Sequence, residues 1–165
     1  MKTILLTSLA ALALLPVAHA QDDSHTGVYA SVNVGKNLFY SAADELTGSF
    51  KGYGWNASLG YTFTQHVSAE IGFMQNSERM SIKSHINVPY LAAKFSVPVT
   101  EKVDFITKIG VMEVMHKGDN GRYPYIGVGA SYLLNDKMNL TAMYQGGVYG
   151  IGGAGLLGVG VDYKI

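Results

Sequence analysis

The stretch Gly155 to Ile165 alternates without a break. Leu157, Val159, Val161, Tyr163 and Ile165 fall on one side; Gly158, Gly160, Asp162 and Lys164 fall on the other. A period of two residues is the mark of a β-strand. One face is wholly apolar and carries an aromatic near its end, while the other holds glycines, a carboxylate and an amine. Such a strand belongs in a sheet whose two faces meet different surroundings, and the rest of the chain decides which face points inward.

The same pattern recurs along the sequence. Gly27 to Gly35 sets Val28, Ala30, Val32 and Val34 against Tyr29, Ser31, Asn33 and Gly35. Gly52 to Thr64 sets Tyr53, Trp55, Ala57, Leu59, Tyr61 and Phe63 against Gly54, Asn56, Ser58, Gly60 and Thr62. Further strands are expected over Val67 to Met74, Tyr90 to Val97, Val103 to Met112, Tyr125 to Leu134 and Met138 to Gln145. Upstream of Pro89 the phase changes, because Ile86 and Val88 fall on the polar side; a bulge or the start of a loop is expected there.

The first twenty residues read differently. Lys2 is followed by an apolar run from Ile4 to Leu15, then Pro16, then the small residues Ala18 and Ala20 around His19. This is the form of a secretory signal peptide, 1–20, leaving 21–165 as the exported domain. The run falls short of the roughly 20 apolar residues that a spanning helix needs. There is no cysteine, so neither a disulfide, a thiolate metal site nor a lipid-modified N-terminus is available. A formal charge of zero lacks the basic footprint of a nucleic-acid binder.

Eight strands are thus expected, and the links between them alternate in length. Those after the second, fourth and sixth are short. The others are longer: Lys36 to Lys51, Gln75 to His85, His116 to Pro124 and Gly146 to Ala154. An even-numbered meander of this kind fits an all-β, eight-stranded antiparallel up-and-down transmembrane barrel, with short turns on one side and long loops outside.

Volume assigns the faces. An eight-stranded interior is barely wide enough for ordinary side chains. It cannot hold Tyr53, Trp55, Tyr61, Phe63, Phe73, Phe95, Phe105, Tyr132, Tyr144 and Tyr163, whereas the glycine-rich face fits. The apolar face therefore points outward, to lipid, and closure pairs every strand edge. The outward aromatics also sort by height: Tyr61, Phe63, Phe95, Phe105, Tyr132 and Tyr163 near the short turns, and Tyr53, Trp55, Phe73 and Tyr144 near the outer ends. That makes two girdles around an aliphatic band.

On the stretches Gly27 to Gly35, Val67 to Phe73, Pro124 to Ala130 and Gly158 to Ile165, the chain resembles the small outer-membrane barrels of the OmpA-like transmembrane domain and OmpX type. The resemblance implies a bacterial outer-membrane location. It also implies contact with outer-membrane lipid and lipopolysaccharide, and insertion by the barrel-assembly machinery. The closing strand, with Gly158, Val161, Tyr163 and Ile165, resembles the signal that machinery reads. The family usually ends in an aromatic; here Ile165 stands in that place, and Tyr163 is expected to serve.

Inside the barrel, Glu70, Lys94, Lys108 and Asp162 are expected at similar height. Charges in a narrow lumen need partners, so these four should satisfy one another and plug it; the alternative is an ion-conducting path. His66, Ser68 and Glu70 share a spacing that resembles the His-x-Ser dyad of lipid A deacylases, but near the wrong end of the barrel. Gly150 to Gly155 fits G-x-G-x-x-G without the helix that motif requires, and reads as an outer loop. His25, His85 and His116 lack metal-ligand spacing, and no cofactor is expected.

Function is therefore expected on the outer loops, through Phe39, Tyr40, Arg79, Lys83, Lys117 and Arg122. The cations would meet lipopolysaccharide phosphates, and the aromatics a host or neighbouring-cell surface. The alternatives are a lipid A-modifying barrel enzyme and a small low-conductance pore.

Overall fold

The computed structural model describes residues 26–40, 49–77, 85–116, 119–147 and 153–165. They form β1 (Gly27–Tyr40), β2 (Ser49–Thr64), β3 (Val67–Ser77), β4 (His85–Pro98), β5 (Val103–His116), β6 (Asp119–Asn135), β7 (Met138–Gly147) and β8 (Gly153–Lys164). Each strand pairs antiparallel with the next, and β8 pairs with β1, closing the barrel. The expected signal peptide, 1–20, lies outside the described residues.

Short polar turns join the strands at one end. The Thr64 hydroxyl accepts from the amides of His66 (3.2 Å) and Val67 (3.1 Å). The Asn135 side-chain oxygen accepts from the Lys137 amide (3.0 Å), and the Thr100 hydroxyl does the same for Lys102 and Val103. Side chains that mimic a backbone turn in this way release the chain into the next strand. At the outer end, the β1–β2 register shifts between Lys36 and Leu38. The extra β2 residue is accommodated beside Gly52, whose φ of 81° suits glycine.

Around the middle of the barrel the faces divide sharply. Leu59, Ile71, Leu91, Ile109 and Val159 are 54 to 64% exposed, while Ser58, Glu70, Ala92 and Lys108 beside them are buried. Soluble proteins rarely show an apolar patch larger than a few hundred Å², so a continuous belt of this kind faces hydrocarbon. On β8 the outward apolar positions run from Leu157 to Ile165, close to the roughly 9–11 residues that a tilted strand needs to span a bilayer.

Towards the outer end the faces exchange character, and this corrects the expectation at Pro89. The β3–β4 register continues unbroken from Phe73–Pro89 through Met74–Val88 to Ser77–His85, with no bulge. Val88 is fully buried, and Ile86 packs on the same inner cluster. Met74, Met112, Tyr125 and Leu156 are buried there too, with Val114 and Tyr123 packed against them. Meanwhile the outward positions become Lys36, Gln75, Asn87, Glu113 and Arg122. The strands rise out of the membrane into water, where an apolar core inside and polar groups outside is again the favourable arrangement. What changes is the solvent, not the register.

Two consequences follow. The strands are longer at their outer ends than the alternation indicated, so the link between β5 and β6 shrinks to residues 117–118. The lumen is not filled only by small and ionic groups: its outer part is an apolar and aromatic core.

Candidate functional site

The inner wall is organised in two tiers. In the tier nearer the turns, β4 and β5 place Lys94 directly opposite Lys108. Lys94 donates from Nζ to Asp162 Oδ2 on β8 at 2.6 Å. Lys108 Nζ lies 2.6 Å from Glu70 Oε1 on β3. All four are buried. Burying a charge is costly unless it is paired and its remaining lone pairs are occupied, and tyrosines do the latter. The Tyr29 hydroxyl donates to Glu70 Oε2 (3.0 Å) and the Tyr90 hydroxyl to Oε1 (3.2 Å). Lys94 Nζ sits 4.6 Å from the centroid of the Tyr29 ring, a cation–π contact that joins the two pairs into one network.

Above it, Tyr90 stacks on Tyr125 with centroids 4.3 Å apart and planes 10° from parallel. The Tyr125 hydroxyl donates to Gln145 Oε1 (3.0 Å). Asn56 Nδ2 donates to the Tyr90 hydroxyl (2.9 Å), and Thr141 on β7 donates to Asn33 Oδ1 on β1 (3.0 Å) over Gly160 of the intervening β8. Met74, Val88, Met112 and Leu156 fill the remaining space.

Tyr29, Tyr90 and Tyr125 were not singled out from the sequence, although the alternation already placed them on the glycine face. The available signal was their partner. Tyr29 pairs with Gly60, Tyr90 with Gly72 and Tyr125 with Gly110. A side chain at Gly60 would run into the Tyr29 ring, and one at Gly72 into the Tyr90 ring. The Tyr29 and Tyr90 rings lie across the vacant glycine positions, which is how a barrel this narrow admits a phenol.

On the outer surface, Tyr61, Phe95, Phe105, Tyr132 and Tyr163 are exposed near the turns, with Phe63 at the β2 register shift beside Thr62 and Thr64. Tyr53, Trp55 and Phe73 are exposed near the outer ends. There Trp55 packs on Phe73 (centroids 5.8 Å) and donates to Gln75 Oε1 (3.2 Å), while Gln75 donates on to Asn87 (3.2 Å). Tyr144 donates to the Gly147 carbonyl (2.8 Å). Gly158, Val161, Tyr163 and Ile165 lie along β8 and its end, where the Ile165 amide donates to Val28 (2.9 Å).

Among the loop residues, Arg79, Lys83 and Lys117 lie outside the described residues, as do residues 41–48. Phe39 and Tyr40 belong to the outer end of β1. Arg122 is not in a loop: it lies on β6 opposite Glu113, with Nε 3.8 Å from Glu113 Oε2. Gly155 is likewise a β8 residue, paired with Gly146. The His66, Ser68 and Glu70 trio is not assembled. His66 is in the turn with Nδ1 3.0 Å from the Ser96 carbonyl, Ser68 donates to Thr62 (3.2 Å), and Glu70 is engaged by Lys108.

Comparison with known proteins follows the same lines. Residues 7–164 match the model of the outer membrane protein beta-barrel domain. No curated protein sequence matches the chain. Among solved structures, Neisserial surface protein A is similar over 84% of this chain and 97% of its own, at 18% identity and a TM-score of 0.63. A de novo designed transmembrane β-barrel covers 87% of this chain and 98% of its own, at 18% identity and a TM-score of 0.60. Ail, the attachment invasion locus protein of Yersinia pestis, covers 86% and 99%, at 14% identity and a TM-score of 0.58. Ail has also been solved with the heparin analogue sucrose octasulfate. At these identities the likeness is one of fold.

Proposed function

The chain belongs to the outer membrane protein beta-barrel domain family, and from that premise we propose that it is a non-enzymatic integral outer-membrane barrel with a plugged lumen. Its outer connections serve surface interaction or adhesion and support envelope integrity. Residues 1–20 are removed on export, and β8 presents Gly158, Val161, Tyr163 and Ile165 to the assembly machinery. The observation that supports this reading is the network of buried side chains inside the barrel. The Lys94–Asp162 pair spans the lumen from β4 to β8 and the Glu70–Lys108 pair bridges β3 and β5, both under a stacked Tyr90–Tyr125 core, which supports placing the chemistry for partners on the outside. Arg79, Lys83, Lys117 and Arg122 are assigned to lipopolysaccharide phosphates, and Phe39 and Tyr40 to a host or neighbouring-cell ligand. That Ail, a barrel of the same fold, was solved with a sulfated heparin analogue makes a polyanionic glycan a suitable first probe.

The test replaces residues 41–48 and 78–84 by short Gly/Ser links in cells expressing the protein. Heparin binding, cell attachment and detergent sensitivity of the envelope are then compared with the parent. Attachment should fall while the barrel still inserts. Unchanged attachment and an unchanged envelope would overturn the reading. A changed lipid A mass on overexpression would point instead to an enzyme.

A further inference from the structure

Towards the outer end of the lumen, Asn37 on β1 and Asn76 on β3 flank Gly54 of β2. Gly54 pairs with Asn76, but on the β1 side the ladder is interrupted by the register shift between Lys36 and Leu38. Asn37 sits at that shift and takes the place of the lost ladder. Its Nδ2 donates to the Tyr53 carbonyl on β2 (2.8 Å) and to the Ser77 carbonyl on β3 (2.9 Å), so the side chain reaches across the middle strand. Those two bonds fix the amide: with its nitrogen committed, Oδ1 is turned to the space over Gly54.

A Cβ on Gly54 would run into Asn37 Oδ1, Asn76 Oδ1 and the Gln75 carbonyl. Three oxygens thus converge over a residue with no side chain, and like partial charges that face one another need a donor between them. Both asparagines are fully buried. Yet Asn37 Oδ1 and both side-chain atoms of Asn76 have no hydrogen-bond partner, and they make up three of the six such atoms among the described residues. Buried amides are costly unless matched. Lower in the barrel they are matched, as Asn33 is by Thr141 and Asn56 by Tyr90.

We infer that this site binds a single internal water, which donates to Asn37 Oδ1 and Asn76 Oδ1 and accepts from Asn76 Nδ2. The chemistry selects the occupant. It must donate twice and accept once in a space no larger than a missing side chain, and a buried water makes about three such bonds. An anion cannot donate to the oxygens. A metal cation would leave Asn76 Nδ2 unmatched, and among the described residues no carboxylate bonds either asparagine to balance its charge. Bound there, the water completes a bridge from β1 to β3 over β2, at the level where the bulge breaks the backbone ladder. The site is separate from the ionic tier below it and from the outer connections.

The full barrel is isotope-labelled in detergent micelles, and water-selective NMR reads which side-chain amide protons lie against a long-lived water. Asn76 Nδ2 should show a cross-peak to water with the rotating-frame sign of dipolar contact, opposite to that of proton exchange. Gly54→Ala puts a methyl among the three oxygens and should abolish the cross-peak, whereas Gly127→Ala, on β6 across the barrel, should keep it. A crystal structure of the unaltered barrel grown with a rubidium salt gives a second reading. It should show an oxygen-sized peak within hydrogen-bond reach of both asparagines and no anomalous signal there. A direct Asn76–Asn37 bond with no water, a rubidium peak at the site, a cross-peak that survives in folded G54A, or its equal loss in G127A would each overturn the inference. The two readings on the unaltered barrel decide the matter even if G54A does not fold.

Discussion

Lys94 and Lys108 face each other directly across the β4–β5 ladder, yet each is claimed by a different carboxylate, Asp162 and Glu70, at 2.6 Å. Two like charges side by side in a lumen are tolerable only because two acids converge on them from β8 and β3. Removing one acid strands its lysine beside another cation. Glu70→Gln should therefore lower unfolding stability in detergent–urea titrations by about 3–5 kcal/mol. The double replacement of Glu70 and Lys108 by methionine should recover most of that loss. If E70Q unfolds at the same urea concentration as the parent, the pair contributes nothing.

The proposed plug makes a prediction of its own. Planar-bilayer recordings of the intact barrel should show no steady open conductance. Replacing Tyr90 and Tyr125 together by alanine removes the stacked pair and should admit water and brief current steps. A steady current through the unaltered protein would mean that the paired charges line a path rather than close one.

Gly72 should not accept a side chain. Its Cβ would meet the Tyr90 ring, whose hydroxyl supports Glu70 and Asn56. Gly72→Val should cost about 1–3 kcal/mol, the usual penalty of overpacking. Gly72→Val combined with Tyr90→Ala should lose the steric part of that cost, measured by the same titration.

Two apolar residues should respond oppositely to charge and volume because they face different solvents. Leu59, 56% exposed at mid-belt, should lose about 2–4 kcal/mol when changed to arginine, while Leu59→Ala leaves no internal cavity. Met112, 2% exposed in the outer core, should lose about 2–5 kcal/mol on truncation to alanine. Equal sensitivity of the two positions to alanine would contradict the division of faces.

Electrophoresis with and without boiling gives the quickest check of the whole. The folded barrel should migrate differently from the heated chain, and Leu59→Arg should reduce the heat-sensitive band in the outer-membrane fraction.

Much of the fold was legible because alternation is local. Leu59 next to Gly60, or Val159 next to Gly160, announces both a strand and its two faces. Ile86, Val88 and Met74 were not legible in the same way. The code reverses where water replaces lipid, and nothing in the residue types marks that height until Lys36, Gln75, Asn87, Glu113 and Arg122 are seen to lie at corresponding levels. Which acid meets which lysine was equally hidden. Asp162 reaches Lys94 across 68 positions of sequence, and that encounter is set by the stagger of the closed sheet rather than by any neighbour. Arg122 read as a loop cation because an arginine among polar residues looks the same in a loop as on the wetted end of a strand.

The seam between β1 and β8 joins Tyr29 to Lys164 and Ser31 to Asp162, so the first strand of the barrel finds its second neighbour in the last. Without that seam two rows of unpaired amides and carbonyls would stand open, inviting union with any other extended chain. Asp162, which neutralises Lys94, lies on the same closing strand. One contact between the two ends of the chain thus serves both tasks: the strand that closes the perimeter also delivers the carboxylate that neutralises Lys94.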